Sequence, residues 1–144
     1  MMNTRIRDPK PQRANEAWHI ELGRIVNGRQ QVWVLYVIDL FSRECLIADA
    51  QTSFDGRDIV QVLKRLASRQ GAPKYLIANG GQLVSDAAIA DWAADHGTQI
   101  VHPHPANPLR KGIAERLFRL LELNGAHNLG LAIDTWNLAL KDRK

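Results

Sequence analysis

The sequence predicts a single α/β domain built on a mixed five-stranded sheet with helices on both faces. Three observations predict it. Strand-like runs follow one another up to residue 50, separated only by turn signals. From residue 56 the apolar period switches from that of a strand to that of a helix. Short apolar strands then alternate with amphipathic helices toward the end of the chain.

Residues 17–26 alternate apolar and polar, and residues 31–38 are rich in Val, Leu and Tyr. Between them Asn27-Gly28 tolerates the positive φ of a tight turn, which predicts a hairpin. Residues 44–50 follow Phe41-Ser42-Arg43 as a third strand, completing a meander. Over residues 56–69, Ile59, Val60, Val62, Leu63, Leu66 and Ala67 cluster on one helical face, and Gly71 and Pro73 stop that helix. Residues 74–77 make a short strand. Ser85 is the expected N-cap of a helix through His96, with Gly97 as its stop. Residues 98–101 form the fifth strand. Residues 102–108 hold three prolines and are expected to be irregular. A helix over 110–123 carries Ile113, Leu117, Leu120 and Leu121, and a last helix runs from about 129 to 141.

A chain of 144 residues with 45% apolar residues is the size of one domain and can bury a core. No apolar run is long enough to span a bilayer. Residues 1–13 read as a flexible basic arm, leaving 14–144 as the core domain. Cys45 is the one cysteine, which excludes an intrachain disulfide and a cysteine-built zinc site and fits a cytoplasmic protein. The net charge of +4 and pI of about 9.6 permit a polyanionic partner such as DNA. Neither phosphate-cradling glycine motif, G-x-x-x-x-G-K-[ST] or G-x-G-x-x-G, is present. His102 and His104 lack an evident third metal ligand, so a solvated loop is the plainer reading. Trp18, Trp33, Trp92 and Trp136 read as core or interface residues.

Four short blocks, in order, carry a resemblance. Arg13, Asn15, Trp18, Glu21 and Leu22 fit R-x-N-x-x-W-x-x-D-[FL], with Glu for Asp. Val37, Asp39, Phe41, Ser42 and Arg43 fit V-x-D-x-[FY]-S-R. Gly71, Pro73, Lys74, Tyr75, Leu76, Asn79 and Gly80 fit G-x-P-x-x-[IL]-x-x-D-N-G, with Ala78 taken at the Asp position. Pro105, Pro108, Gly112 and Glu115 fit P-x-x-P-x-x-N-G-x-x-E, with Lys111 for Asn. The chain, from about Arg13 to Leu123, resembles the core domain of retroviral-type integrases and insertion-sequence transposases.

The resemblance implies a ribonuclease H-like fold and DNA strand transfer, in which three carboxylates hold two Mg²⁺ or Mn²⁺ ions that clamp the attacking and leaving oxygens of a phosphodiester. Carried onto this sequence, the acid positions are Glu21, Ala78 and Glu115. Only Glu115 is intact. Glu21 is one methylene too long, and Ala78 has no ligand atom, so metal is expected to bind weakly if at all and the chain reads as a pseudoenzyme. Gln82 stands where the family often has another acid. Between Ala78 and Glu115 lie 36 residues, one more than the family's commonest spacing. Asp39 is expected to be structural, and Asp86 lies too far along to replace Ala78. Arg110, Lys111, Arg116 and Arg119 lie on the helix that rests against DNA in the family, which implies weak, non-specific DNA binding. A homodimer is the expected assembly. Such transposases usually carry a separate N-terminal DNA-binding domain, and this sequence reads as the core alone. The alternative reading is a non-catalytic module that binds DNA or another protein.

Overall fold

The computed structural model describes residues 9–27, 29–79, 83, 86–102 and 108–141, with the backbone alone at 27, 79 and 108–111. Strands β1 (Ala17–Asn27), β2 (Gln30–Asp39) and β3 (Cys45–Gln51) form the expected meander. Helix α1 (Gly56–Gln70) leads to β4 (Tyr75–Asn79), α2 (Ala87–Asp95) and β5 (Gln99–Val101). Helix α3 (Pro108–Asn124), a 3₁₀ turn (Ala126–Asn128) and α4 (Leu129–Lys141) close the chain. The sheet order is β3-β2-β1-β4-β5, antiparallel through the meander and parallel from β1 to β4 and β5.

The two sheet faces bury different cores. Trp18, Ile20, Leu35, Val37, Leu76 and Ala78 pack against α1 and α2. Ile25, Val34, Tyr36 and Ile38 pack against Ile113, Leu117 and Leu121 of α3 and Leu129 and Ala132 of α4. Strand alternation assigns each residue to its face, because successive side chains point to opposite sides.

Several ends are set by local chemistry. Asp55 caps α1 and exchanges hydrogen bonds with Asp58 in a capping box. Asp86 caps α2 through the Ala88 and Ile89 amides; the expected cap, Ser85, lies outside the described residues. Pro108 opens α3, where a missing N–H costs nothing. It was expected in the irregular stretch, whose other prolines, Pro103 and Pro105, lie outside the described residues. β1 and β2 pair as far as Asn27↔Gln30, so Asn27 ends its strand and residues 28 and 29 connect the hairpin. The fourth strand reaches Asn79 rather than ending at residue 77.

The motif residues Asn15, Trp18 and Asp39 tie this scaffold together. Asn15 adopts φ 71°, and its N–H donates to Asp39 Oδ2 at 2.6 Å. Its Oδ1 accepts from Trp18 Nε1 and Gln70 Nε2, while its Nδ2 donates to the Gln70 and Gly71 carbonyls. Asp39 Oδ1 accepts from the Phe41 and Ser42 amides, which shapes the β2–β3 turn. Asp39 thus joins the start of β1 to that turn through hydrogen bonds, as expected for a structural residue.

Candidate active site

Glu21 lies in β1 on the face covered by α3 and α4, directly opposite Tyr36 of β2. Both of its carboxylate oxygens accept hydrogen bonds. His19 Nε2 is 2.9 Å from Oε1, and the Tyr36 hydroxyl is 2.8 Å from Oε2. His19 and Glu21 are two residues apart on one strand, so they share a face. His19 is 3% exposed, and its Nδ1 is buried without a hydrogen-bond partner. Facing a carboxylate oxygen, which can only accept, Nε2 is the donor in this hydrogen bond. Burial and the adjacent Glu21 charge push the Tyr36 phenol well above its ordinary range, with a smaller contribution from Glu115. The negative charges of Glu21 and Glu115 therefore both bear on one hydroxyl. Sequence reasoning missed His19 and Tyr36. The two-residue spacing pointed to His19, while Tyr36 required the hairpin register.

Ala78 does not face Glu21, which corrects the expectation for that position. Ala78 pairs with Ile20, is 0% exposed and belongs to the core under α1 and α2. The in-register partner of Glu21 is Asn79. Residues paired across parallel strands share a face, so position 79 falls on the side of Glu21. The sequence agrees once it is counted without a gap: from Gly71 and Pro73 the Asp of the third block lands on Asn79. Matching Asn79-Gly80 to the Asn-Gly of that block requires skipping one residue. Counting from Asn79 also removes the extra residue from the interval to Glu115. Gln82 lies outside the described residues.

Glu115 is on α3, exposed, two residues before the buried Leu117 and three before the half-buried Phe118 that seat this helix. Phe118 stacks on Tyr36 with ring centroids 5.9 Å apart. It also lies against the Cα of Gly23, where an added Cβ would collide with its ring. Gly23 thus leaves room for the Phe118 ring of α3 to rest directly on β1. Arg116 and Arg119 are exposed on the same helix, and the side chains of Arg110 and Lys111 lie outside the described residues. Glu115 and Glu122, also exposed, flank the two arginines and dilute the basic face.

These residues do not fit a pair of divalent cations. Such a site needs carboxylate oxygens converging with strict octahedral geometry. Here both oxygens of Glu21 already accept protein hydrogen bonds, position 79 carries an amide, and position 78 turns into the opposite core. Among the described residues, no group of three or more His, Cys, Asp or Glu side chains is placed to hold a metal. His104 lies outside the described residues, so the histidine pair is not placed. A cavity of about 330 Å³ lined by Arg13, Asn15, Lys74 and His96 lies just before the start of β1, and Glu21 is not among its lining residues.

The chain matches the family model described as Integrase core domain over residues 11–108. The match ends where α3 begins, so the expectation for Glu115 rests on its own motif. A search of curated protein sequences finds no match. Among solved structures, the chain is similar to the simian T-cell lymphotropic virus intasome in complex with PP2A regulatory subunit B56 gamma. That likeness has a TM-score of 0.66 and 15% identity, covering 83% of this chain and 47% of the other, so the chain spans about half the length of that relative. It is also similar to the HTLV-2 integrase catalytic core domain in complex with magnesium. The trimeric form gives a TM-score of 0.63 at 14% identity, covering 89% of this chain and 86% of the other. The dimeric form gives 0.63 at 12%, covering 89% and 87%. At these identities the structural likeness carries the ribonuclease H-like fold, and the sequence match carries the family: the chain belongs to the integrase core domain family.

Proposed function

We propose that this chain is an integrase or transposase core related to DNA integration and transposition, with its own strand-transfer chemistry impaired at Glu21 and position 79. The carrying observation is the clamp on Glu21: His19 and Tyr36 hold its two oxygens, and its in-register neighbour is an amide. Replacing a carboxylate by a neutral group in a two-cation site removes an oxygen ligand and a full negative charge. Glu21 adds a longer side chain where a rigid site needs a short one. Purified protein is expected to show neither strand transfer nor DNA cleavage with Mg²⁺ or Mn²⁺, and no tight Mn²⁺ binding by isothermal titration. Tight binding of two ions together with cleavage would overturn the reading.

The second reading is a non-catalytic module that binds DNA. Its support is the exposed pair Arg116 and Arg119, extended in sequence by Arg110 and Lys111. Phosphate contacts from such residues are sequence-independent and weaken steeply with salt. Fluorescence anisotropy with short duplexes is expected to show weak, salt-sensitive binding that is indifferent to sequence. No binding at low salt would leave this face as solvated surface. A homodimer and a cytoplasmic location complete the proposal. Leu131 and Leu138 stand exposed on α4, and no described helix is long and apolar enough to cross a membrane. Sedimentation of the purified chain tests the dimer; a monomer at all concentrations would exclude it.

A further inference from the structure

We propose that the cavity just before β1 is a subsite for one backbone phosphodiester of DNA, held by Arg13 and Lys74. This rests on the DNA-binding reading above and adds a contact outside α3. The cavity, about 330 Å³, is walled by three chain segments, residues 13–16, 72–74 and 96–97. That volume lies at the small end of the range for ligand sites. Arg13 opens the first motif block and takes no part in the acid site. Glu21 stands four residues past Ala17, roughly 13 Å along an extended strand.

The walls hold one another in place without a ligand. Asn15 Nδ2 donates to the Gln70 and Gly71 carbonyls at 2.8 and 3.0 Å. The Glu16 carbonyl accepts from the Lys74 and Tyr75 amides at 2.9 and 3.0 Å. Thr98 Oγ1 donates to the Pro73 carbonyl, and the Gln99 N–H donates to that of Lys74. A site formed in advance loses little by ordering when it binds. The plainer use for two cations here is to offset the C-terminal ends of α1 and α2, which lie beside the cavity. Neutral donors already satisfy those ends. The Ala67 carbonyl accepts from the Gly71 N–H, and the Trp92, Ala93 and Ala94 carbonyls accept from the amides of residues 96–98. Arg13 and Lys74 are left over.

The charges select the ligand. Ion pairs among the described residues join His19 to Glu21 and Arg65 to Asp49, so no carboxylate neutralises Arg13 or Lys74. Lys74 Nζ rests over the Tyr75 ring, 5.3 Å from its centroid, a contact that keeps its charge. Glu16, the one acid of the described lining, turns Oε1 to the Gln12 N–H at 2.7 Å. Two cations against one carboxylate leave one net positive charge, with His96 counted as neutral. That matches a singly charged phosphodiester better than a doubly charged phosphate monoester. Arg13 and Lys74 come from different walls, and a phosphodiester offers each its own non-bridging oxygen. His96 Nδ1 lies 2.8 Å from the Trp92 carbonyl, which can only accept, so Nδ1 donates there and Nε2 is left for the ligand.

The test uses the full chain and a short DNA duplex at low salt, followed by fluorescence anisotropy and by lysine acylation with peptide mapping. Arg13→Gln combined with Lys74→Gln should weaken binding and lower the slope of log affinity against log salt by about one, the signature of one lost phosphate contact. Arg57→Gln combined with Lys64→Gln removes the same charge from the exposed side of α1, outside the cavity, and should leave that slope unchanged. The duplex should shield Lys74 of the wild type from acylation and leave Lys64 open. The cavity variant should melt within about 4 °C of wild type. A purely structural role would give the reverse, a lowered Tm with unchanged DNA affinity, and would overturn the proposal. Duplex binding that leaves Lys74 open, with the two double variants behaving alike, overturns it while leaving the DNA-binding reading intact. Inorganic phosphate that shields Lys74 where duplex does not would make this a site for free phosphate and overturn it as well. No duplex binding by the wild type at low salt removes the DNA-binding reading, and the proposal falls with it.

Discussion

Tyr36 faces Glu21 across the β1–β2 ladder, and its hydroxyl donates to Glu21 Oε2 at 2.8 Å. The hydrogen bond joins a buried phenol to Glu21, the residue proposed for the first acid position. It makes the neutral phenol part of the fold, with consequences for stability that can be measured.

Burial and Glu21 raise the Tyr36 pKa above its ordinary value of 10.0. A group whose folded pKa is raised contributes stability that is fully present below its unfolded pKa and is lost as pH rises beyond it. Stability should therefore fall as pH rises above about 10. Tyr36→Phe should lose about 2 kcal/mol near neutral pH, the scale of a hydrogen bond to a charged group. It should also show a shallower alkaline decline. Urea denaturation across that pH range decides; an unchanged alkaline slope in Tyr36→Phe would remove the titration of Tyr36 as its cause.

Aspartate at positions 78 and 79 should behave oppositely. Ala78→Asp puts a charge into the α1/α2 core with no partner and should cost roughly 3 kcal/mol or more. Asn79→Asp is nearly isosteric and should change stability by less than about 1 kcal/mol. Thermal denaturation of both variants tests the facing of the strand, and equal tolerance would contradict it. The smallest repair of the acid set then becomes Glu21→Asp with Asn79→Asp. The pairing of Glu21→Asp with Ala78→Asp, which the gapped match proposes, should unfold rather than bind Mn²⁺.

Gly23 has no room for a methyl group, because the Phe118 ring occupies that space. Gly23→Ala should cost about 1–3 kcal/mol through overpacking. The near-ultraviolet circular dichroism of the Tyr36–Phe118 stack should change as well. Restoring stability by Phe118→Leu in the Gly23→Ala background would identify the ring as the obstacle. No recovery would place the cost in the backbone.

Asn15 combines positive φ with five hydrogen bonds to three partner segments. Asn15→Gly keeps the backbone freedom and the bond from its N–H but loses the side-chain bonds. Asn15→Ala loses the side-chain bonds and adds conformational strain. Chemical denaturation should therefore rank wild type above Asn15→Gly above Asn15→Ala, with the last down by about 2–4 kcal/mol. Equal losses in the two variants would mean that φ at this position contributes nothing.

The sequence by itself determined the element order, the mixed sheet and the family. Those rest on local signals: the period of apolar residues, the Gly71 and Gly97 stops, and four motif blocks that survive as linear patterns. The resemblance carried by those blocks also marked Glu21 and Glu115 as candidates. Only the tertiary structure decided what surrounds them. The hairpin closes at Asn27↔Gln30, and that register alone makes Tyr36 the neighbour of Glu21. Closure with Asn27-Gly28 as the two turn residues would have put Val34 there, on the same face but unable to donate. Which residue of β4 lies in register with Glu21 turned on a single position. A one-residue slip in a strand exchanges the two faces, so a gap that is harmless in a motif match turns a side chain from the site into the core. The parallel pairing of Glu21 with Asn79, set by long-range packing rather than by neighbouring sequence, decided between them.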